Sequence, residues 1–222
     1  MTIDFNKLVD QYLLQEYKPK QVGRYYPSEI GGCIRKTWFS YKKPKQVKAE
    51  LLRIFEAGNM LHEFISGVIR SEKNPEVELL EEEMPIKIEE KEFIISGRVD
   101  NLILVKISDE KILVEVKSTK MLPEYYNKQH EMQLQLYMHA TDVHNGMILY
   151  IQKDNLKTKW FDIDYNNKIT QKIVEKFGVL DKSLKQDKMP EAEAKLNSEI
   201  SWMCRYCDYK EDCDKAGLHA QA

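Results

Sequence analysis

Apolar residues between positions 50 and 70 recur at the spacing of one helical face. The members of this pattern are Leu51, Ile54, Phe55, Leu61, Ile65, Val68 and Ile69. Because positions three, four and seven apart share a helical face, we expect an amphipathic helix over residues 50–70. A second pattern of the same period predicts another helix near the C-terminus, built from Ile169, Ile173, Val174, Phe177, Leu180 and Leu184.

Other stretches are rich in β-branched and aromatic residues and predict strands. These stretches are residues 92–105, 111–117, 146–152 and 158–164. Polar Ser108, Asp109 and Glu110 lie between the first two and indicate a β-hairpin. Pro123 is expected to open a helix that runs to about Asn145. The order of elements predicts a mixed α/β fold.

The composition excludes several classes of protein. The chain has 222 residues, of which 42% are hydrophobic and 32% charged, and four are cysteine. It is therefore long enough to bury a core and is neither collagen-like, disordered nor disulfide-dense. With no signal-peptide pattern and no apolar run of about 18 residues, we expect a cytoplasmic protein. In a reducing compartment, its cysteines are expected to be metal ligands or free thiols.

The net charge of −2 conceals two charged stretches of opposite sign. Residues 76–92 hold eight Glu and two Lys, and we interpret them as a solvent-facing surface. Residues 35–53 hold one acid, Glu50, among basic side chains that could contact phosphates. These basic side chains are Arg35, Lys36, Lys42, Lys43, Lys45, Lys48 and Arg53. Three nearby aromatics could stack on bases, although core packing is favoured for the last: Tyr25, Tyr26 and Trp38.

Two carboxylates and a lysine are predicted to share one sheet face. Glu115 and Lys117 alternate along a strand, about 6.6 Å apart on the same side. An even hairpin loop centred on Ser108–Asp109 would place Asp100 opposite Lys117, with Glu115 as its diagonal neighbour. An odd loop would turn Asp100 to the other face unless a bulge restored the register. Such a set suits phosphodiester hydrolysis with Mg²⁺ or Mn²⁺, whereas a solvent-facing strand is the plain alternative.

Polar residues on two predicted helices extend this set. His62 lies on the stripe of the first helix, where a buried structural histidine is the usual alternative. His130, Gln133 and Tyr137 form one polar face of the helix after Pro123. They need partners such as the metal-site carboxylates or a phosphate if the face is buried, and none if it faces solvent.

Together these residues resemble the RecB-type branch of the PD-(D/E)XK nuclease superfamily. The matching elements occur in order: Gly58 with His62, Gly97 with Asp100, the Glu115-Val116-Lys117 triplet, and Gln133 with Tyr137. The resemblance implies a restriction-endonuclease-like fold, a mixed sheet flanked by helices. It also implies that His62, Asp100, Glu115 and the Val116 carbonyl ligate the divalent metal, with Lys117 as catalytic lysine and Gln133 and Tyr137 supporting the site and contacting DNA.

The cysteines form one C-terminal triplet and one distant partner. Cys204, Cys207 and Cys213 follow Cys33 by 171 or more positions, and His219 is a poor alternative fourth ligand. Four thiolates suit a 4Fe–4S cluster as well as zinc, and spacing does not decide between them. A metal centre that closes a loop of about 170 residues would stabilise the fold by removing unfolded-chain entropy.

This arrangement resembles the iron-staple nucleases, a group that includes the AddB nuclease domain and the RecB-like CRISPR-associated exonucleases. Ser28 precedes Cys33 at the spacing of that group, whereas Asp208 stands where proline is frequent. The resemblance implies a 4Fe–4S cluster on Cys33, Cys204, Cys207 and Cys213. We expect a single nuclease domain over residues 1–222: a helical part, a nuclease core and a C-terminal helix with the cysteine tail, at 1–50, 51–165 and 166–222.

The leading functional hypothesis is a metal-dependent DNA exonuclease that acts on single strands or frayed ends. The resemblance implies 5′-to-3′ cleavage, DNA processing for CRISPR spacer acquisition, and a CRISPR integrase complex as partner. An AddB-like repair or mobile-element nuclease would share this chemistry. A non-catalytic DNA-binding scaffold and a zinc protein are the rivals from other classes.

Overall fold

The computed structural model describes residues 3–14 and 19–219 and is organised around a mixed sheet. Within the described residues its strands are β1 (Arg24–Tyr25), β2 (Val77–Glu89), β3 (Ile94–Val105), β4 (Glu110–Thr119), β5 (Asn145–Gln152) and β6 (Thr158–Asp164). β4 and β5 are parallel, whereas β2–β3, β3–β4 and β5–β6 are antiparallel. The predicted mixed α/β architecture is confirmed.

Helices cover both faces of this sheet. The α-helices are α1 (Phe5–Leu13), α2 (Ile34–Lys42), α3 (Ala49–Arg70), α4 (Lys128–Thr141), α5 (Asn167–Lys185), α6 (Glu193–Leu196) and α7 (Lys210–Ala216). Short 3-10 helices span Pro27–Glu29 and Ser201–Tyr206. α3 packs on β2 and β4, while α4 packs on β2, β4, β5 and α5. Across the residues described, no helix has the length and apolar character to cross a membrane.

Strand β3 leaves part of one edge between two partners. Along one edge it pairs with β2, and along the other it pairs with β4 from residue 101 onward and with β1 only at Ile94 and Ile95. The intervening segment 96–100 ends in Asp100 and contains Gly97. A Cβ at Gly97 would lie 3.0 Å from Pro27 Cδ, so glycine lets the 3-10 helix approach the strand closely.

The β3–β4 hairpin has an even loop, which keeps the carboxylates on a common face. Val105 pairs with Glu110, so the loop is residues 106–109 and is centred one residue earlier than expected. The last recorded pair in the other direction is Asn101 with Val114. Continuing that register places Asp100 opposite Glu115, and the predicted pairing of Asp100 with Lys117 is wrong.

Helix α4 is shorter than the sequence suggested at both ends. It begins at Lys128 and not at Pro123, because the Asn127 side chain accepts the N–H of Gln129 at 2.9 Å and caps the helix. It ends at Thr141 because Asp142 adopts a left-handed conformation with φ 56°. The predicted helices at 50–70 and around residues 169–184 are confirmed by α3 and α5.

The acidic stretch 76–92 contains the whole of β2, a strand that was not predicted from the sequence. Its glutamates are solvent-exposed, as expected, while Ile86 and Ile88 are each 7% exposed and point inward. The alternation of buried and exposed residues is that of a strand with one covered face. Phe55, which the sequence placed on the buried stripe of α3, is instead 55% exposed.

Candidate functional site

Glu115, which is buried, forms an ion pair with the partly buried Lys117 on β4. The Glu115 side chain is 1% exposed, and its Oε1 accepts a hydrogen bond from Lys117 Nζ. Its second oxygen, Oε2, has no hydrogen-bond partner among the described residues. Burial, with a contribution from the Asp100 charge, raises the pKa of Glu115 to about 7 against the opposing effect of Lys117. The site thus holds a desolvated acceptor oxygen that a cation could satisfy.

Asp100 bridges strand β4 and helix α3. Its Oδ2 accepts the backbone N–H of Val116 at 2.7 Å, and its Oδ1 lies 3.3 Å from His62 Nδ1. Since the recorded β3–β4 ladder ends at Asn101, this side chain takes the place of a ladder carbonyl. Burial acts to lower the pKa of His62, but the bond to Asp100 together with the charges of Asp100 and Glu115 outweighs it, and the pKa is raised.

Helix α4 turns a buried amide toward Lys117. Gln133 Oε1 accepts from Lys117 Nζ at 3.2 Å, and Gln133 Nε2 donates to the Tyr137 hydroxyl at 2.8 Å. Gln133 is 8% exposed and Tyr137 3% exposed. The polar face therefore points into the protein, which excludes the solvent-facing alternative. Burial of the Tyr137 hydroxyl raises its pKa, so it stays protonated.

His130, the third member of that face, supports the site without reaching Asp100 or Glu115 among its recorded contacts. Its Nδ1 lies 2.8 Å from the hydroxyl of Tyr150, which also accepts the backbone N–H of Asn127 at 3.0 Å. Burial, together with the charge of Lys117, lowers the pKa of His130 to about 4. Because the Tyr150 hydroxyl bonds both His130 and the backbone of Asn127, the pair braces the start of α4.

A groove leads away from these residues over the open edge of β3. A cavity of about 360 Å³ beside His62 and Asp100 adjoins a second of about 560 Å³, since both are lined by Glu83 and Arg98. Arg24 lines the second cavity, where its Nε donates to Ser96 Oγ at 3.2 Å. Sequence reasoning missed both arginines. Arg98 lies within the Gly97–Asp100 motif and could have been identified from it, whereas no sequence motif identifies Arg24.

Much of the basic stretch 35–53 is engaged within the chain. Arg35 is fully buried, which contradicts its expected role in phosphate contact. Lys42 lies 2.7 Å from Asp187, Lys43 lies 3.1 Å from Asp212, and Arg53 lies 2.8 Å from Asp10, measured between charged atoms. Lys42, Lys43 and Arg53 therefore hold the N-terminal part against other elements and do not form a free basic surface.

Two of the three aromatics proposed to stack on bases lie in the core. Tyr25 is fully buried and donates its hydroxyl proton to Asp181 at 2.8 Å, so that prediction is wrong. Trp38 is 7% exposed and packs against Phe39, as its favoured core role requires. Tyr26 is 41% exposed and lines the groove, so it alone of the three can meet a base.

All four cysteines line one small cavity of about 30 Å³, although Cys33 is far from the others in sequence. Cys33 lies at the N-terminus of α2, Cys204 in the 3-10 helix Ser201–Tyr206, and Cys213 in α7. Cys207 directly follows that 3-10 helix, and none of the four cysteines is in a disulfide. Burial, and the proximity of the other three thiols, raise the pKa of Cys204.

The donor chemistry of this cavity fits a thiolate-bound metal, either zinc or an iron–sulfur cluster. His219 Nδ1 lies 3.7 Å from Glu191 Oε1, and this exposed side chain does not line the cavity. In the described parts of the chain, no group of three or more His, Cys, Asp or Glu side chains is arranged to hold a metal ion. Metal binding by the active-site residues and metal binding by the cysteines are therefore proposals.

Comparisons with known proteins place this geometry in a family. A search of curated proteins found no match. The crystal structure of SSO0001 superposes with a TM-score of 0.62 at 19% identity, covering 94% of this chain and 93% of that one. LHK-Exo in complex with dAMP gives 0.50 at 12% identity over 83% and 93%. LHK-Exo is an alkaline exonuclease from Laribacter hongkongensis. At these identities the likeness concerns the fold alone.

A family model covers most of the sequence. The model of the PD-(D/E)XK nuclease superfamily matches residues 12–214, a span that contains the Glu115–Lys117 pair and all four cysteines. The chain therefore belongs to the PD-(D/E)XK nuclease superfamily.

Proposed function

We propose that this protein is a divalent-metal-dependent DNA exonuclease that hydrolyses phosphodiester bonds of single-stranded DNA or frayed ends. The observation that carries the proposal is the buried carboxylate of Glu115, whose Oε2 has no partner in the described residues while Asp100, His62 and Lys117 surround it. A desolvated, unsatisfied acceptor costs free energy that cation binding would recover. The LHK-Exo neighbour is also consistent with exonuclease chemistry.

His62, Asp100, Glu115 and the Val116 carbonyl would hold the divalent ion, Mn²⁺ or Mg²⁺. When bound, such an ion acts as a Lewis acid toward the phosphate and lowers the pKa of water. The residues of the chain then have separable roles. The hydrogen bond from Val116 N–H fixes the direction of the Asp100 carboxylate.

Lys117 is the proposed catalytic lysine. The charge of Glu115, together with that of Asp100, outweighs desolvation and raises the pKa of Lys117, so the amine stays charged. A charged amine in a water-poor site stabilises negative charge that develops on the phosphate oxygens. Gln133 directs this amine, and Tyr137 holds the Gln133 amide in turn.

The groove beside the site is the proposed path of the DNA strand. Arg24 and Arg98 are exposed there and suit phosphate contacts, and Tyr26 offers a ring on which a base can stack. Glu83, 3.4 Å from Arg98, would give up that exposed pair when a phosphate arrives. Contact of this kind predicts a steep loss of affinity with added salt.

The convergence of four cysteines on one cavity supports the proposed 4Fe–4S cluster, with zinc as the alternative metal. The resemblance of this cysteine arrangement to the iron-staple nucleases is the ground on which we also propose 5′-to-3′ cleavage and a role in preparing DNA for CRISPR spacer acquisition beside an integrase complex. Anaerobic purification with iron, sulfide and zinc analysis decides the metal. Trimming of DNA ends in the presence and absence of purified integrase tests the role.

The nuclease proposal is tested with Lys117→Ala and Asp100→Ala on single-stranded DNA labelled at either end, in Mn²⁺. We expect each to lower the rate of nucleotide release by about 10²–10³-fold. Lys120→Ala removes an exposed lysine just beyond β4 and serves as the matched control with full activity. A circular single strand should resist the wild-type protein, since an exonuclease needs an end.

Full activity of both variants would show that the site is wrong. A wild-type protein that binds DNA without cleaving it, whatever the divalent ion, would favour a non-catalytic scaffold. Release of label from one end only would fix the polarity of cleavage.

A further inference from the structure

Arg35 is a fully buried cation beside the four cysteines. It lies on α2, two residues after Cys33, and its side chain is one of those that line the cysteine cavity. Among the described residues no carboxylate forms an ion pair with it. Burying an arginine without an anionic partner is costly, and buried charges are normally paired or fully hydrogen-bonded.

Every donor of this guanidinium is used, and the acceptors come from the C-terminal part of the chain. An arginine has five N–H groups, on Nε, Nη1 and Nη2. Nε donates to the carbonyl of Pro190 at 2.6 Å, and Nη2 donates to those of Leu218 and His219 at 3.0 Å each. Nη1 donates to the carbonyl of Gly217 and to Cys213 Sγ, the latter at 3.8 Å.

Four backbone carbonyls compensate the hydrogen-bonding demand of Arg35 but not its unit charge. The remaining acceptor is the sulfur of Cys213, whose thiol is grouped with three others around the same cavity. Neutral thiols would leave the charge uncompensated, whereas thiolates on a metal provide the missing negative charge. The nearby Glu193 does not serve this purpose, because it binds Lys176 at 2.8 Å and the N–H of Ile34.

We propose that Arg35 is a positioning residue of the cysteine centre, which clamps residues 217–219 by their carbonyls and neutralises the metal-bound thiolates with its buried charge. The proposal rests on the metal centre of the proposed function, but it does not depend on nuclease activity. It explains how a seven-residue helix, α7, with no fully buried residue of its own, is held where Cys213 can act.

Two substitutions separate the clamp from the charge. Arg35→Lys keeps a cation but has three donors that cannot reach all five acceptors, whereas Arg35→Gln removes the charge as well. Lys42→Gln is the matched control, since it removes a cation from the same helix that pairs with Asp187 away from the cavity. Metal content per chain and digestion of the C-terminus by carboxypeptidase are measured on anaerobically purified full-length protein.

We expect Arg35→Gln to lose at least about ten-fold in metal occupancy at limiting metal, and Arg35→Lys to lose less. Both should release C-terminal residues faster than the control. In chains of Arg35→Gln that do carry a cluster, the reduction potential should shift to more negative values, because a nearby positive charge has been removed.

Wild-type occupancy, tail protection and potential in Arg35→Gln would overturn the inference. Equal loss in Arg35→Lys and Arg35→Gln would overturn the charge role and leave only the clamp. Circular dichroism shows whether Arg35→Gln folds. If it does not, metal content and tail protection are compared between Arg35→Lys and the wild type. A wild-type protein without metal would instead refute the proposed centre, which is a distinguishable result.

Discussion

The candidate active site and the cysteine cavity both collect polar groups in a dry environment, but their supports differ. Glu115 and Lys117 stand on a central strand flanked by β3 and β5, and their neighbours come from two long helices. Of the cysteine triplet, Cys204 and Cys213 stand on helices of six and seven residues and Cys207 lies between those helices, without strand pairing in residues 186–219.

The active site is therefore formed by the sheet and its helices, whereas the cysteine region is expected to fold only with help from a bound metal. The sheet holds Glu115 with an unsatisfied oxygen before any cation arrives, which is preorganisation at the cost of desolvation. Within residues 186–219 only Pro190, Ala192, Ala194 and Tyr209 are buried, so metal binding is expected to supply much of the folding free energy of the cysteine region. Variants in the two regions should therefore fail in opposite ways.

The largest effect is expected when a thiol is removed. Cys207→Ser should lower the free energy of unfolding of the metal-loaded protein by on the order of 5 kcal/mol, a part of what a structural metal contributes. Denaturant unfolding under anaerobic conditions, with metal analysis, measures this loss. Met203→Leu, which changes a thioether lining the same cavity, is the control. Full metal content with an unchanged midpoint would remove the asymmetry between the two regions.

At the active site, we expect a second substitution to restore stability without restoring activity. Glu115→Gln and Lys117→Met each leave a buried partner uncompensated, with an expected cost up to about 3 kcal/mol. The double variant removes both charges and should recover most of that stability, because neither partner is left as an uncompensated charge.

None of the three variants should regain nuclease activity. A double-mutant cycle from denaturant unfolding, run beside end-release assays, measures both quantities. Additive losses would mean that the pair is not coupled in solution, and that the burial of Glu115 does not carry the cost assigned to it.

The two regions touch at Gly31, which tests whether they are independent. A Cβ there would lie 2.5 Å from Gln129 Cβ and 2.8 Å from Gln129 Cα, one turn before Gln133 on α4. Gly31→Ala should destabilise the protein by about 1–3 kcal/mol through overpacking, and lower turnover by roughly 10–10²-fold through displacement of α4.

Gly32→Ala is the matched control, since a Cβ at Gly32 meets nothing within 4 Å. Its unfolding free energy should stay within about 0.5 kcal/mol of wild type. If Gly31→Ala loses stability but keeps turnover, the cysteine segment does not position the catalytic helix.

The sequence could predict what depends on local periodicity. Alternation along β4 placed Glu115 and Lys117 on one face, and helical spacing found α5. The hairpin parity followed from loop length, but the register did not, because it depends on which loop residues turn. β2 escaped detection because its glutamates hid the inward-facing Ile86 and Ile88.

Contacts between distant segments were beyond such reasoning. Arg35 reads as one more cation of a basic stretch, and only the arrival of carbonyls from residues 190–219 shows that it is buried. Tyr25 likewise gave no local sign of its contact with Asp181. These residues owe their roles to tertiary packing, which overrides local composition.

The smallest effect is expected from the exposed ion pairs that accompany the cysteine tail. The hydrogen bond from Lys43 lowers the pKa of Asp212, so its contribution is present above the ordinary carboxyl pKa and is lost as pH falls through the lowered one. Asp212→Asn should lower the melting temperature slightly at pH 7 and low salt. The difference should vanish in about 1 M salt, where charges beyond roughly 3 Å are screened, and again in acid.

Asp208→Asn is the control, because Asp208 is an exposed neighbour whose backbone carbonyl, and not its carboxylate, accepts a hydrogen bond from Lys45. A large loss of melting temperature that salt does not reduce would mean that Asp212 contributes to the buried network that holds the cysteine tail. Arg35 would then be only one of the residues that hold the tail in place.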